Sequence, residues 1–450
     1  MTTLMWFRRD LRTFDQPALA AASAAGEVLA CFVLDPRILA SAGPNRTAWL
    51  SANLQALAAD LDGRLCLRIG DPALVLPQLA AEVGATVVHV STETEPGGGV
   101  RDQAVRAALA AGGIAWQETG SPYAVTPGRV TTKGGRDFKV FSAFQRAWWE
   151  YGWPAPARLR RPPVLLAADS DPQAWRLVAD AITASPVPLP PAGERAALAR
   201  WAQFSADGLA DYHTSRDRPD LAGTSQLSSY LKLGVLHPRT LLADLTGRSG
   251  AGPERFIAEL AWREFYAEVL WRHPESLTAD LKPLSLTYDQ PDAGFEAWRQ
   301  GRTGYPIVDA GQRQLLATGW MHNRVRMISA SFLTKDLHLW WPHGAAHFAE
   351  HLLDADLASN VHGWQWVAGT GTDAAPYFRV FNPTSQGERF DPSGDYVRAW
   401  VPELAHLGGA AVHRPGNASD GYAHGYPKPI LDHATERAEA LARYRLTRAH

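Results

Sequence analysis

Val28-Leu29-Ala30-Cys31-Phe32-Val33-Leu34 is an uninterrupted apolar run in the first half of the chain. A short run of this kind is typical of a strand that is buried on both faces of a sheet. Similar runs occupy residues 4–7, 65–69 and 86–90, and they alternate with helix-period segments near 46–62, 73–83 and 100–111. Since such alternation is typical of βαβ units, the sequence predicts a doubly wound, Rossmann-like parallel sheet within an α/β domain over residues 1–125.

The usual nucleotide-binding loops are absent from this half of the sequence. No G-x-G-x-x-G follows the first apolar run, and no G-x-x-x-x-G-K-[ST] occurs anywhere in the chain. Both motifs place glycine backbone against phosphates, so their absence excludes the common dinucleotide fingerprint and the Walker loop. A cofactor bound to this domain would have to be held by other means.

The remaining sequence divides into a connector and a helical region. Residues 126–192 are interrupted repeatedly by proline, and only the stretch 141–151 has a helical pattern. We therefore predict an inter-domain connector there. From 193 to 450 helical patterns punctuated by Gly and Pro dominate, so this region is predicted to be an all-helical domain.

Composition and charge restrict the classes of function. The 450 residues include 44 basic and 46 acidic side chains, so a nucleic-acid partner must be met by a local basic patch. Cys31 and Cys66 lie in apolar runs, which excludes a disulfide framework or a cysteine-ligated metal site. The N-terminus turns charged at Arg8 and no apolar run approaches a membrane span, so we expect a cytoplasmic protein that acts as a monomer.

A hydroxyl-rich segment opens one helical run of the second domain. Thr224-Ser225-Gln226-Leu227-Ser228-Ser229 follows a turn and precedes an apolar helical pattern. Hydroxyls and free N–H groups at a helix N-terminus form an anion site, or they are only a Ser/Thr cap with no ligand. Both interpretations remain open on this segment alone.

Two further helical segments pair a polar group with a possible binding surface. Glu259 and Trp262 share one helix face, which suits a nucleobase recess or, equally, an amphipathic helix with a core Trp. Asn323 and Arg326 repeat this spacing, as a site or as the basic C-terminal turn of a helix.

The densest polar segment of the chain is Asp354-Ala355-Asp356-Leu357-Ala358-Ser359-Asn360-Val361-His362-Gly363-Trp364-Gln365-Trp366. Acids two residues apart suggest a calcium loop, but the later ligands and the glycine position are missing, so we predict no metal site. A buried Asp here needs a charged partner, and Arg326 is the candidate.

Seven motifs distributed along the chain carry a resemblance to one known family. They are Trp6-Phe7-Arg8-Arg9-Asp10-Leu11-Arg12, Phe138-Lys139-Val140-Phe141, Gly223-Thr224-Ser225-Gln226-Leu227-Ser228, Trp262-Arg263-Glu264-Phe265-Tyr266, Thr303-Gly304-Tyr305-Pro306-Ile307-Val308-Asp309, the segment 320–327, and Gly371-Thr372-Asp373-Ala374-Ala375-Pro376-Tyr377-Phe378-Arg379-Val380-Phe381-Asn382-Pro383. Each is short, but together they are highly specific, and the resemblance covers nearly the whole chain. With these motifs the sequence resembles the cryptochrome/photolyase family, and most closely its class I photolyases of cyclobutane pyrimidine dimers.

The resemblance implies an N-terminal antenna-binding domain and a helical domain that holds FAD. The positions that resemble the family's FAD contacts are Tyr212, Thr224, Ser225, Gln226, Leu227, Ser228, Arg326, Asp354, Asp356 and Asn360. Hydroxyls and N–H groups of the loop would meet the diphosphate, and Asn360 would face the flavin N5.

The resemblance also implies a binding site for DNA whose lesion is flipped out of the duplex. The positions that resemble the lesion pocket are Glu259, Trp262, Asn323, Met327 and Trp366, and Arg216, Arg324 and Arg379 match positions that contact phosphates. Trp262 and Trp366 would flank the lesion, and Glu259 would form a hydrogen bond with its 5′ base. The alternative for each arginine is an ordinary solvated side chain that contacts no phosphate.

Trp364 and Trp341 match the inner and middle members of the family's chain of tryptophans, through which light reduces the flavin. The outer position, counted back without gaps from Trp298, is occupied by Tyr288. Tyr288 would replace Trp less efficiently, Trp271 would take over, or the loop alignment is shifted by a few residues.

The antenna chromophore is the least determined part of the resemblance. The contacts of folate-binding relatives are missing from the region 93–102. Arg46, Glu93 and Lys232 instead resemble positions of deazaflavin-binding members, so we expect 8-hydroxy-5-deazaflavin rather than methenyltetrahydrofolate, with an empty antenna site as the alternative.

These expectations combine into one function and two alternatives. The predicted reaction is light-driven repair of cyclobutane pyrimidine dimers by electron transfer from excited reduced FAD. The alternatives are a cryptochrome, which signals in blue light without repairing DNA, and a Trp-rich nucleic-acid-binding protein without flavin.

Overall fold

The computed structural model describes residues 1–373 and 378–447. Contacts between residues divide the chain into two compact units. The first unit comprises Met1–Asp207 and Ser225–Pro274, and the second comprises Gly208–Thr224 and Glu275–His450. This division is based on contacts, and it places the segment Ser225–Pro274 with the first unit. It does not test the domain boundaries at 125 and 192, which stay a prediction.

A parallel sheet forms the core of the first unit, as the sequence predicts. Its strands are β1 (Thr2–Trp6), β2 (Glu27–Leu34), β3 (Leu65–Ile69), β4 (Ala85–Val90) and β5 (Ala115–Glu118), in the order β3-β2-β1-β4-β5. All four neighbouring pairs are parallel, and the free thiols Cys31 and Cys66 lie opposite each other in the buried core. The edge strand β5 has no predicted counterpart because it is mostly exposed and lacks a long apolar run.

The helices of the described residues begin and end as follows, in chain order: α1 (Pro17–Ala25), α2 (Pro36–Ser41), α3 (Pro44–Asp60), α4 (Pro72–Val83), α5 (Pro96–Ala111), α6 (Phe141–Tyr151), α7 (Pro172–Thr183), α8 (Glu194–Asp207), α9 (Tyr212–Ser215), α10 (Ser228–Leu233), α11 (Pro238–Asp244), α12 (Ala251–Arg272), α13 (Ala293–Arg299), α14 (Pro306–Thr318), α15 (Asn323–Ser331), α16 (Trp341–His351), α17 (Leu357–Ala368), α18 (Pro383–Phe390), α19 (Asp395–Trp400) and α20 (His433–Leu446). A π-helical turn, Phe332–Asp336, extends α15. Many of these helices begin with proline, because the first turn needs no backbone N–H donor.

The connector contains more helix than the sequence predicts. The predicted helix over 141–151 is confirmed as α6, but α7 was missed. A proline breaks a helix only when it lies in the helix interior. Pro172 instead occupies the first turn of α7, directly after the N-cap Asp171. The expectation of a single helix in this region is therefore wrong.

A buried carboxylate on α12 holds part of this connector. Glu264 accepts hydrogen bonds from the backbone N–H groups of Ala124 and Val125 and from the indole N–H of Trp148. Burial, which disfavours the charged carboxylate, raises the pKa of Glu264 to about 7 against these donors. Residues far apart in the chain are thus fixed to one helix.

The second unit is helical around a tryptophan-rich core. Trp298, Trp341 and Trp364 are all buried in one hydrophobic cluster, and Trp340 and Trp366 pack against it while half buried. Helix α15 begins at Asn323, with the ring of its N-cap His322 accepting from the N–H of Arg324. The alternative that this segment is a basic C-terminal turn is therefore wrong.

Within the described residues, no helix combines the length and the apolar character that crossing a membrane requires.

Candidate functional site

An ion pair at the start of α17 is the best defined feature of the predicted FAD site. The guanidinium Nη2 of Arg326 lies 2.9 Å from Oδ2 of Asp354, as the sequence predicts, and its Nε donates to the carbonyl of Met321. The other carboxylate oxygen of Asp354, Oδ1, is buried and has no donor among the described residues. A buried acceptor without a donor costs free energy, so a ligand donor would complete this site.

Asp356 and Asn360 fix the first turn of α17 beside this pair. Asp356 is the N-cap, and its carboxylate accepts from the N–H of Ser359 at 3.0 Å. The side-chain amide nitrogen of Asn360 donates to the carbonyl of Ala345 at 2.9 Å. That contact orients the amide and leaves its oxygen as the group that can accept from a ligand.

The hydroxyl segment before α10 is a loop rather than a capped helix start. Helix α10 has Leu227 as its N-cap, with no side-chain capping bond, so the interpretation as a Ser/Thr cap is wrong. Gln226 has a φ of 54°, which is a strained backbone conformation for a residue other than glycine. Arg200 donates to the carbonyl of Ser225 and supports the loop from α8. Backbone strain that is supported in this way is common where a ligand is held.

Tyr212 and Thr224, the other predicted FAD contacts, lie in the second unit. Tyr212 is the first residue of α9 and is buried, whereas Thr224 is half buried.

Glu259 and Trp262 lie one turn apart on α12, as predicted. Glu259 forms an ion pair with Arg255, at 2.6 Å between Nη2 and Oε1. The indole of Trp262 stacks flat on the ring of Phe141, with ring centroids 3.8 Å apart and planes inclined by 9°. Phe141, which belongs to a quoted motif, was not predicted as a site residue, because a motif does not say which ring it contacts. One face of Trp262 is thereby fixed.

Asn323 and Met327 lie one turn apart near the start of α15. The sulfur of Met327 is 3.7 Å from Nη1 of Arg324. Arg324 also pairs with Asp217 at 2.9 Å and lies over the ring of Phe390. Its charge is therefore partly balanced within the protein.

Trp366 and Arg379 are brought together at a small cavity. The indole N–H of Trp366 donates to the carbonyl of Asp373 at 3.1 Å. Both side chains line a cavity of about 40 Å³ next to Phe378 and Tyr444. Arg379 itself is exposed, and Arg216 is the C-cap of α9. Residues 374–377 of the quoted motif lie outside the described residues.

The electron-transfer candidates have different surroundings. Trp364 and Trp341 are buried in the core of the second unit. The ring of Tyr288 packs beside that of Trp340, a residue that was not predicted to belong to the site. Trp271, the alternative outer donor, belongs to the first unit and is 46% exposed.

The three antenna candidates lie around one charged network in the first unit. Glu93 follows β4 at the point where the strand order reverses, and crevices of this kind bind ligands in open α/β sheets. Arg9 and Arg101 pair with Glu93, and Arg9 and Lys232 pair with Glu95. Although burial opposes the charged form, the charges of Arg9, Arg8 and Arg101 lower the pKa of Glu93 to about 2.

Arg46 and a glycine complete this network. Burial lowers the pKa of Arg46, with the charge of Glu95 acting against it. The backbone of Gly98 lies against the side chain of Glu93, where any Cβ would collide with it. The Pro-Gly-Gly-Gly start of α5 thus allows the carboxylate to lie across the helix.

A separate group of possible metal ligands lies at the end of α16. His347, Glu350 and His351 bring one ligand atom each to within 4.8 Å of one another. The guanidinium of Arg299 lies against this group, 3.4 Å from Nδ1 of His347 and 3.7 Å from Glu350. The charge of Glu350 is thus met by a side-chain cation.

Comparisons with known proteins cover both units. Residues 256–446 match the family described as the FAD binding domain of DNA photolyase, and residues 3–163 match the family described as DNA photolyase. The deoxyribodipyrimidine photo-lyase of Vibrio cholerae is 39% identical over 465 aligned residues, which cover 98% of this chain and 99% of that protein.

Solved structures with the same fold include both repair and cryptochrome proteins. A bacterial class III photolyase from Agrobacterium tumefaciens has a TM-score of 0.90 and 36% identity, covering 100% of this chain and 98% of its own. A cryptochrome from Synechocystis has a TM-score of 0.86 and 29% identity, covering 98% of each chain. The two family matches and the full-length identity to photo-lyases show that the chain belongs to the DNA photolyase family.

Proposed function

We propose that this chain is a deoxyribodipyrimidine photo-lyase, which repairs cyclobutane pyrimidine dimers in DNA with light. The observation that carries the proposal is the end-to-end similarity to curated photo-lyases, together with a buried Asp354 oxygen beside Arg326 that finds no donor within residues 1–373 and 378–447. The similarity indicates the reaction. The buried Asp354 oxygen indicates a position at which a bound cofactor would provide the hydrogen-bond donor.

The donor set fits FAD. Arg326 and Asp354 would lie beside the isoalloxazine ring, Asn360 would offer its amide oxygen, and the loop from Ser225 to Ser228 would meet the diphosphate. Tyr212, Thr224 and Asp356 would complete the binding residues. Fully reduced FAD held by these residues would supply the one-electron chemistry of the repair, in which the C5–C5′ and C6–C6′ bonds would split without net redox change.

The chain's own residues would receive the lesion by stacking and hydrogen bonding. Trp262 and Trp366 offer aromatic faces, Met327 an apolar surface, and Glu259 and Asn323 polar groups for the bases. Arg255 would have to share Glu259 with the lesion, because the pair is present without DNA. Arg216, Arg324 and Arg379 are the proposed phosphate contacts.

For the antenna, we propose 8-hydroxy-5-deazaflavin in the crevice that the network of Arg9, Glu93, Glu95 and Lys232 borders, with Arg46 beside it. The similarity of Arg46, Glu93 and Lys232 to positions of deazaflavin-binding family members supports this choice. An absorption spectrum of the purified protein checks it, because a deazaflavin adds a band that flavin alone does not give.

The function is tested by mixing FAD-loaded, chemically reduced protein with ultraviolet-irradiated oligothymidine and illuminating with blue light. Recovery of thymine absorbance that requires both protein and light is expected, together with a loss of at least tenfold for Glu259→Ala. Bound flavin without recovery would contradict the proposal and favour blue-light signalling. A protein that binds DNA but no flavin would overturn both.

A further inference from the structure

We propose that Trp340 is the outer electron donor of this protein, in place of Tyr288. The proposal rests on the proposed function, because it concerns the tryptophans that would deliver an electron to bound FAD. It adds a residue that the sequence comparison with the family did not single out.

The inner part of the chain is built by two packed helices of the second unit. The indole of Trp364 on α17 lies against Gly344 of α16, where a Cβ would come within 2.1 Å of the ring. Gly344 is one turn after Trp341 on the same helix, and Trp341 and Trp364 are both buried in the same hydrophobic cluster. The indole N–H of Trp364 has no acceptor in the described part of the chain. An oxidised Trp364 would therefore keep its N–H proton, and it would be reduced again by an electron from a neighbouring side chain.

Trp340 continues this path outward. Its ring meets that of Trp341 edge to face, with centroids 6.2 Å apart and planes inclined by 67°. Trp341 is buried, whereas Trp340 is half buried. The adjacent pair Trp340-Trp341 thus leads from the core toward solvent.

Tyr288 is near this path but is poorly suited to be its end. Its ring centroid is 6.4 Å from that of Trp340. Its hydroxyl is buried and finds no hydrogen-bond partner among the described residues. Burial, and the nearby charge of Asp280, raise the pKa of this hydroxyl. Oxidation of a phenol requires loss of its proton to an acceptor. Tyr288 has no such proton acceptor among the described residues.

Asp280 provides a hydrogen-bond acceptor for the indole N–H groups of Trp340 and Trp341. Its Oδ1 accepts from the indole N–H of Trp341 at 2.6 Å and from that of Trp340 at 3.3 Å. A carboxylate beside an indole stabilises a positive charge on that ring, more strongly where water is partly excluded. The indole pair and Asp280 therefore form a place where a positive charge is held.

The electron balance of the step is simple. With FAD bound and excited by light as the oxidant, Trp364 would give up one electron, Trp341 would replace the electron lost by Trp364, and Trp340 would replace the electron lost by Trp341. Trp340 is left one electron short, and its N–H proton can pass to Asp280 or to water. A thiol in solution then returns one electron to Trp340, and one proton with it.

The test is flash spectroscopy of the full chain loaded with oxidised FAD, which follows the absorption of the tryptophanyl radical. We expect Trp340→Phe to shorten the lifetime of this radical at least tenfold, because the charge then remains near the flavin and recombines. Tyr288→Phe should change it less than twofold. Trp400→Phe is the matched control, since Trp400 is also half buried and packs on the same core. Circular dichroism and FAD content establish that each variant folds.

A wild-type lifetime in Trp340→Phe, or a large loss in Tyr288→Phe, would overturn the proposal. Asp280→Asn should shorten the lifetime as well, and an unchanged lifetime would remove the carboxylate from the account. If the wild-type protein yields no tryptophanyl radical, the electron chain itself is wrong. Repair by chemically reduced protein separates that result from a failure of the proposed function.

Discussion

At the scale of single residues, the charged pair of Arg326 and Asp354 is the clearest agreement between sequence and structure. The sequence predicted it because a buried carboxylate needs a cation, and the ion pair is present. The sequence could not predict that one oxygen of Asp354 would find no donor in the described part of the chain, since this depends on how the backbone of α15 and the start of α17 meet. It is this oxygen that points to a ligand.

We predict that Asp354→Asn lowers both FAD content and stability. Asn keeps the shape but removes the charge that balances Arg326, whose side chain is 22% exposed. Removing one partner of a buried pair costs about 3–5 kcal/mol, so a loss of about 2–3 kcal/mol is expected here. Urea unfolding of the FAD-free protein measures it. Glu403→Gln, which breaks the more exposed pair with Arg313, should cost at most about 1 kcal/mol. Full FAD content in Asp354→Asn would contradict the assignment.

Trp340, the proposed outer electron donor, is a residue to which the sequence pattern did not point. Counting along the family pattern leads to Tyr288, which has no acceptor for its proton among the described residues. The sequence did carry one signal, the adjacent Trp340-Trp341 pair, but which of its rings reaches another depends on tertiary packing.

At the scale of elements, the segments predicted in the first domain correspond to β1, β2, β3 and β4 and to α3, α4 and α5, with bounds that differ by up to four residues. Helix α6 and strand β3 begin and end where the sequence predicts. Helices α1, α2 and α7 and strand β5 were not predicted. Helix α7 is amphipathic but begins with Pro172, in a region that repeated prolines marked as a connector, and β5 is a mostly exposed edge strand. How two elements contact each other was not predictable, and the stacking of Phe141 from α6 on Trp262 from α12 is the main example.

We predict that Phe141→Leu weakens binding of dimer-containing DNA about tenfold, which corresponds to about 1.4 kcal/mol and to the upper range for one aromatic pair. The reason is that Trp262 loses the ring that fixes its plane, so Phe141 is a positioning residue. Fluorescence anisotropy with a labelled, dimer-containing oligonucleotide measures the change. Phe138→Leu removes a ring from the same segment that meets Phe144 edge to face, and it should leave the affinity within twofold. Equal losses in both variants would show a general packing effect instead.

At the scale of the whole molecule, buried histidines set the response to acid. Burial lowers the pKa of His237 and of His347 to about 3 each, and of His322 to about 4, from 6.5. A group with a lowered folded pKa stabilises the protein fully above its unfolded pKa, and this contribution is lost as the pH falls from 6.5 toward the folded value. Glu264 acts in the opposite sense, but only between pH 4.5 and about 7.

We therefore predict that the free energy of unfolding falls as the pH drops from 6.5, most steeply below 4.5. His237 is suited to test this, because Nδ1 accepts from the N–H of Arg239 while Nε2 faces the carbonyl of Ser121 at 2.9 Å. His237→Gln can keep both bonds without titrating, so it should reduce the slope by about 1.4 kcal/mol per pH unit between pH 6 and 4. Urea unfolding at several pH values measures the slope, with the exposed His213→Gln as control. An unchanged slope in His237→Gln would show that this ring does not contribute.

Light-dependent repair by the whole molecule can be measured on a defined substrate. A duplex with a single thymine dimer is incubated with FAD-loaded, reduced protein, and the restored thymines are quantified by chromatography after blue light. We expect conversion in the light with protein, and none in the dark or without protein. Tight binding of this duplex by flavin-loaded, reduced protein without any conversion in the light would contradict it.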